Sequence, residues 1–405
     1  MRSTPQVEPA FGPVTAPATG PAALAVTVPA GTESEASEPV ARPAGGSKRS
    51  RLAWVDMARG ACVLAVVLMH VSVFHVDALL GGEAGDVAVR AARVVDESLL
   101  AELRMPLLLF ISGWLASSKI RAGLGEARTR VAIASNLYLF ALWTVIFAAL
   151  EVLVAPGEQR AFVSYSETLP LLVQHLLYPS FGPLWFVWVL GVGTFALALM
   201  RRWPHWLVVA AFTALGYAAL FATGDIAGAP RAVFFALGAL VGGRLIAALD
   251  RPRVVAAAAV ITIVGVPVVA AFPHEVTYLG SVALGLPVAL ACLAFMRLLS
   301  RWSVLRVPLA WVGRRTVGVF ILHWPLVGAL AFIGAAHPLW FSWLHSRPVV
   351  LVYPFAVTLA IAAVCIALQS LAERCGLRWL FFLPTRLRRR IERSAPQQVS
   401  VSQGA

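Results

Sequence analysis

Ten predominantly apolar stretches follow one another along the chain, near 54–75, 104–118, 131–154, 181–200, 206–222, 231–249, 254–272, 276–297, 309–335 and 348–371. Each is long enough, or nearly so, to cross a hydrocarbon core of about 30 Å as a helix rising about 1.5 Å per residue. The second is short and the ninth long. The pattern predicts an all-α polytopic membrane protein with about ten transmembrane helices. Residues 1–50 break it: Pro, Ala, Gly, Ser, Thr and Glu dominate there and aromatics are almost absent. Such a segment cannot bury a core and is expected to be disordered. Residues 51–372 form the membrane domain, and 373–405 a basic tail.

Composition agrees with the pattern. Of the 405 residues, 59% are hydrophobic and only 13% charged, against about 25% charged in an ordinary soluble domain. The mean hydropathy is +0.80. These values exclude a soluble enzyme, a coiled coil and a mainly disordered protein. The formal net charge of +13 would suggest nucleic acid in a soluble chain. Here the cations sit in alternate connections, as membrane topology requires, so no nucleic-acid partner is expected. Lys48, Arg49 and Arg51, then Lys119 to Arg130, Arg201–Arg202, Arg244 to Arg253, Arg297 to Arg306 and the arginine-rich tail fall on one side. The opposite side holds far fewer. Both termini are therefore expected in the cytoplasm, as an even number of spans also requires. The setting is the plasma membrane, with the lipid bilayer as solvent and the tail around Leu387–Arg393 against anionic lipid.

The connections on the outer side have character of their own. The first, about 76–103, is acidic, and residues 87–103 space their apolar positions as a surface helix would. The connection at 155–180 ends in Tyr178-Pro179-Ser180-Phe181-Gly182-Pro183 and reads as a structured loop. Cys62, Cys292, Cys365 and Cys375 have no metal-site spacing and suggest no disulfide framework. No metal site is expected. Gly191-Val192-Gly193-Thr194-Phe195-Ala196 fits a dinucleotide fingerprint by letters alone, with no βαβ unit around it.

Ionisable residues inside membrane spans are expensive and each needs a reason. The first span carries Asp56, Arg59 and His70. Asp56 and Arg59 lie three apart and can pair on one helix face. Arg59 and His70 share a face, about 16 Å apart along the axis. An interfacial ion pair that snorkels would explain the first two, and packing would explain a lone His; the common face favours function for all three. Arg104 stands at the outer mouth of the second span, before Met105-Pro106. Ser112-Gly113 in that span permits close helix packing, and packing alone suffices for it. Trp185 opens the fourth span as an interfacial aromatic would. The ninth carries Gly313-Arg314-Arg315-Thr316 and then Ile321-Leu322-His323-Trp324-Pro325. The two arginines read as positive-inside charge, whereas a second intramembrane His at a depth similar to His70 asks for a chemical reason.

Together these segments resemble the acyltransferase-3 family of integral membrane O-acyltransferases. The likeness rests on Asp56-x-x-Arg59-Gly60 followed by His70, Met105-Pro106 to Ser112-Gly113, Pro183-Leu184-Trp185-Phe186, and Gly313 through Ile321-Leu322-His323. It covers roughly residues 50–372, and four motifs in order are more specific than any one. The Met-Pro version is most similar to the branch with sugar O-acetylases. The resemblance implies an acyltransferase taking an acyl group, usually acetyl, from acyl-CoA such as acetyl-CoA to a hydroxyl. The acceptor it implies is a cell-envelope glycan or related molecule. No permanently bound cofactor is implied. Carried over by position, His70 matches the essential histidine, Arg59 the arginine before it and Asp56 the paired acid. Arg104, His323 and Trp185 match further motif positions and are expected on the substrate side.

The residue types suit that chemistry. A sugar hydroxyl attacks well only as a base removes its proton, and imidazole is suited to the task. A guanidinium can hold a CoA phosphate or a developing oxyanion. Direct transfer and an acyl-histidine intermediate both fit. Two other readings compete. A polytopic transporter could use Asp56, Arg59 and His70 as a substrate or proton pathway, although no pair of related halves is visible. A non-catalytic scaffold would leave two intramembrane histidines unexplained. With Arg59 near the inside and His70 in the outer third, the donor is expected to thread partway through the bundle and the acceptor to arrive from outside.

Overall fold

The computed structural model describes residues 46–76, 79, 101–154, 182–223, 230–271, 274–345 and 347–394. Residues 1–45 of the segment 1–50 expected to be disordered, 87–100 of the surface helix expected over 87–103, and the connection at 155–180 lie outside the described residues, whereas residues 46–50 and 101–103 begin helices. Among the described residues the secondary structure is helical throughout. Six helical stretches are long and apolar enough to cross a membrane: Ala53–Val76, Ala127–Leu150, Pro252–Val269, Val282–Leu299, Thr316–Ala336 and Leu351–Arg374. Shorter apolar helices stand beside them, and the protein is a multi-pass membrane protein. Its lipid-side surface carries large apolar side chains, among them Leu215, Phe221, Ile263, Val304 and Val352, which water would not tolerate as a continuous coat.

The helices follow the apolar segments closely. They are α1 (Gly46–Val71), α2 (Ala101–Ala122), α3 (Ala127–Val154), α4 (Leu184–Leu199), α5 (His205–Thr223), α6 (Ala232–Ala248), α7 (Pro252–Ala270), α8 (His274–Leu299), α9 (Ser303–Gly313), α10 (Thr316–Ala336), α11 (Arg347–Arg374) and α12 (Thr385–Arg393). A π-helical turn, Ser72–Val76, continues α1. The long ninth segment is the exception: α9 and α10 are separate helices, broken at Arg314–Arg315. Two adjacent guanidiniums after a glycine are poor material for the middle of a span. Arg314 is exposed and Arg315 lies over the Trp311 ring at 4.4 Å, so their reading as surface charge fits.

α1 lies at the centre, packed against α9, α10, α11 and α2. Its buried positions, Val55, Ala58, Cys62, Val63, Val66, Val67, His70 and Val71, recur every three to four residues, the spacing of one helix face. Two crossings rest on reciprocal glycines. A Cβ at Gly60 would overlap the Leu309 carbonyl of α9, and one at Gly313 would overlap the Asp56 carbonyl of α1. In the same manner a Cβ at Gly113 of α2 would overlap the Phe235 carbonyl, and one at Gly238 of α6 the Phe110 carbonyl. Without a hydrophobic drive between helices in lipid, such backbone approach supplies the association energy.

The tail is tied to the bundle. Phe381 and Leu383 are buried, the Trp143 indole donates to the Leu380 carbonyl at 2.7 Å, and the Tyr138 hydroxyl donates to the Trp379 carbonyl at 3.0 Å. Arg130 donates to the Ser394 carbonyl at 3.0 Å. α12, with Arg386, Arg388, Arg389, Arg390 and Arg393, thus packs beside α3.

Gly313→Ala should therefore open the α1–α9 crossing. We expect a loss of roughly 1–3 kcal/mol, the usual cost of overpacking, read as a lowered midpoint of thermal unfolding in detergent. Gly125→Ala, where nothing stands within 4 Å of the new methyl, should leave the midpoint unchanged.

Candidate active site

Two parallel helices, α1 and α10, meet at two levels. At one, the Arg59 guanidinium donates to the Thr316 hydroxyl at 2.8 Å. At the other, His70 Nδ1 lies 3.2 Å from His323 Nε2. Eleven residues of α1 separate Arg59 from His70, about 16 Å of rise, whereas seven residues of α10 separate Thr316 from His323, about 10 Å. The long Arg59 side chain makes up the difference by reaching along the axis. Its charge lies nearer the imidazoles than the helix spacing alone indicates.

The partners fix which ring nitrogens carry protons. His323 Nδ1 lies 2.9 Å from the Val319 carbonyl, and a carbonyl only accepts, so this nitrogen bears the hydrogen. Neutral His323 then offers a lone pair at Nε2. His70 Nδ1 lies 2.9 Å from the Val66 carbonyl and faces that lone pair, so it too bears a hydrogen, shared between the two acceptors. The lone pair of neutral His70 is left on Nε2. No residue among those described hydrogen-bonds to it. His323 is fully buried, and His70 keeps 7% of its surface. Of the two imidazoles, His70 retains a little exposed surface and His323 none.

Aromatic side chains hold the pair. His70 stacks on Phe74 at 5.8 Å and meets the edge of Trp324 at 5.0 Å; Phe74 and Trp324 meet each other at 5.2 Å. Phe320 packs on His323, and Phe186 on Phe320 at 4.9 Å. Gly182, with φ of +33°, brings the start of α4 against the Trp324 ring. Trp185, expected at the membrane interface, is buried and turns its ring to Phe186. Arg104 is buried near His70. Asp56 stands 3.8 Å from Arg59, both about a quarter exposed, as a loose ion pair worth little by itself.

A cavity of about 80 Å³ opens beside the Arg59–Thr316 contact, lined also by Ser112, Asn136, Phe186 and Phe320. Gly113 does the packing expected of it, but its neighbour Ser112 faces this cavity. Sequence reasoning passed over Asn136, Thr316 and His75. An Asn inside a long apolar helix is itself a signal, and Thr316 stands seven residues before His323 on one helix face. His75 is fully buried in the π-helical turn and lies 2.7 Å from the Tyr353 hydroxyl. A second His in the first apolar segment was visible, but a π-helical turn leaves no periodic trace. Among the described residues no group of three or more His, Cys, Asp or Glu is placed to hold a metal ion.

Residues 52–368 match the model of the family described as an acyltransferase domain. No curated protein and no solved structure matches the chain.

The hydrogen-bond pattern makes a spectroscopic prediction. In the resting protein, ¹⁵N-labelled His70 should show a protonated Nδ1 and an unprotonated Nε2. The opposite tautomer would contradict the reading of the pair.

Proposed function

We propose that this chain, which belongs to the acyltransferase-3 family, moves an acetyl group from acetyl-CoA to a hydroxyl of a cell-envelope glycan or related acceptor. The observation that carries the proposal is the His70–His323 contact, which leaves the lone pair of neutral His70 on Nε2 inside a membrane bundle. Family membership supports acyl transfer, and a base of this kind suits a hydroxyl nucleophile.

His70 Nε2 takes the proton of the acceptor hydroxyl as its oxygen attacks the thioester carbonyl. The tetrahedral intermediate carries its negative charge on the former carbonyl oxygen, and Arg104 is the cation near His70 suited to face it. When the intermediate collapses, the C–S bond breaks and the leaving CoA thiolate regains the proton from His70. His323 stays hydrogen-bonded to Nδ1 throughout and acts as a positioning residue. Arg59 takes a phosphate of the donor, and Asp56 orients the Arg59 side chain. Trp185 backs the aromatic wall on the acceptor side.

The test follows radiolabelled acetyl from acetyl-CoA into envelope glycans in membranes from a deletion strain complemented with each variant. Wild type should label them. His70→Ala should reduce labelling by at least about 100-fold, as loss of a general base does, with protein abundance unchanged. Retained turnover in purified His70→Ala protein would remove it as the base. Arg59→Ala should weaken CoA binding in isothermal titration more than Arg104→Ala does, and Arg59→Lys should restore it only in part if the contact is bidentate. Equal CoA affinities for the two alanine variants would count against the donor role of Arg59.

A further inference from the structure

Several intramembrane hydroxyls bond back to their own helix, although the buried Thr358 hydroxyl has no partner among the described residues. Ser135, Thr144, Thr194, Thr213, Thr262 and Ser370 each donate to the carbonyl four residues earlier in their own helix. Ser112, in the middle of α2, has no hydrogen bond to any described residue. Nor does Asn136, nine residues into the apolar helix α3, whose carboxamide brings two donors and an acceptor. Both line one cavity, together with Arg59 and Thr316. Both are half-buried, and a polar group set among apolar walls favours a ligand that hydrogen-bonds to it.

The remaining walls are apolar, among them Val63, Leu108, Leu139, Phe186, Phe320 and Ile321. Such walls suit a ligand segment that is mostly hydrocarbon with an isolated polar group. A sugar ring carries too many hydroxyls for them, and a lipid tail would leave Asn136 unsatisfied. At about 80 Å³ the space takes one amide with its flanking methylenes. It also lies between the Arg59–Thr316 contact and Phe320, which packs on His323.

We propose that this cavity seats one amide of the donor's pantetheine arm, with the Asn136 carboxamide and the Ser112 hydroxyl as its hydrogen-bond partners. The inference rests on the acyl-CoA reading above and adds the residues that recognise the arm. Arg59 holds the phosphate end, Asn136 and Ser112 hold the middle, and the thioester emerges at the imidazole pair. Specificity for the donor then comes from an amide, which a simple acyl thioester lacks.

The test is isothermal titration of the purified full chain in lipid nanodiscs with two probes: coenzyme A, and a coenzyme A analogue with methylenes in place of both pantetheine amides. Asn136→Leu preserves volume and removes the hydrogen bonds. It should weaken coenzyme A binding about 10-fold, the loss expected for a buried hydrogen bond, and leave the analogue within about two-fold of wild type. Ser112→Ala, a smaller change, should act in the same direction and equally spare the analogue. Loss of the same factor for both probes, or no loss for either in both variants, would overturn the assignment while leaving the acyltransferase reading intact. A wild-type protein that does not bind coenzyme A would remove the donor reading, and the pantetheine site with it.

Discussion

A hydrogen bond between two imidazoles, contributed by helices 253 residues apart in sequence, organises this protein. His323 is enclosed, and its Nε2 is one of the two acceptors, with the Val66 carbonyl, that hold the His70 Nδ1–H. The bond exists because α1 and α10 run side by side in the same direction, with the Arg59–Thr316 contact as a second tie. That arrangement depends in turn on the break at Arg314–Arg315. The break lets α9 cross α1 at the Gly60–Gly313 approach while α10 continues along α1. A single unbroken helix over both segments could not make the two packings at once.

Lipid as solvent explains why so few polar groups do so much. Among the described intramembrane residues, several hydroxyls bond back to their own helix, many apolar side chains face outward, and glycines let backbones touch. Against that background the polar groups that face the interior stand out: Arg59 with Thr316, His70 with His323, Arg104, and the Ser112–Asn136 pair. Arg59, Thr316, Ser112 and Asn136 line one cavity, and the two imidazoles meet further along α1 and α10.

Much of this was legible in the sequence. The apolar segments marked the helices to within a few residues, because a span must be both long and uninterrupted. Arg59, His70 and His323 were legible because charge and imidazole are costly inside a bilayer. The pairing of the two histidines was not, since nothing in the chain states which helices become neighbours. The α9–α10 break was missed because apolar residues continue through it. The burial of Trp185 depends on tertiary packing that a motif does not reveal. Ser112 was assigned to packing along with Gly113; only the cavity separates the two, with the glycine facing α6 and the serine facing α3 and α10.

The central claim is that His70 and His323 work as one unit. The direct test is a double-mutant cycle on the rate of acetyl transfer, using His70→Ala, His323→Ala and the double variant. If His323 acts only by holding His70, the double variant should be no slower than His70→Ala alone, and His323→Ala should be slow only when His70 is present. Rate losses that multiply in the double variant would mean that the two imidazoles act independently, and would contradict the account.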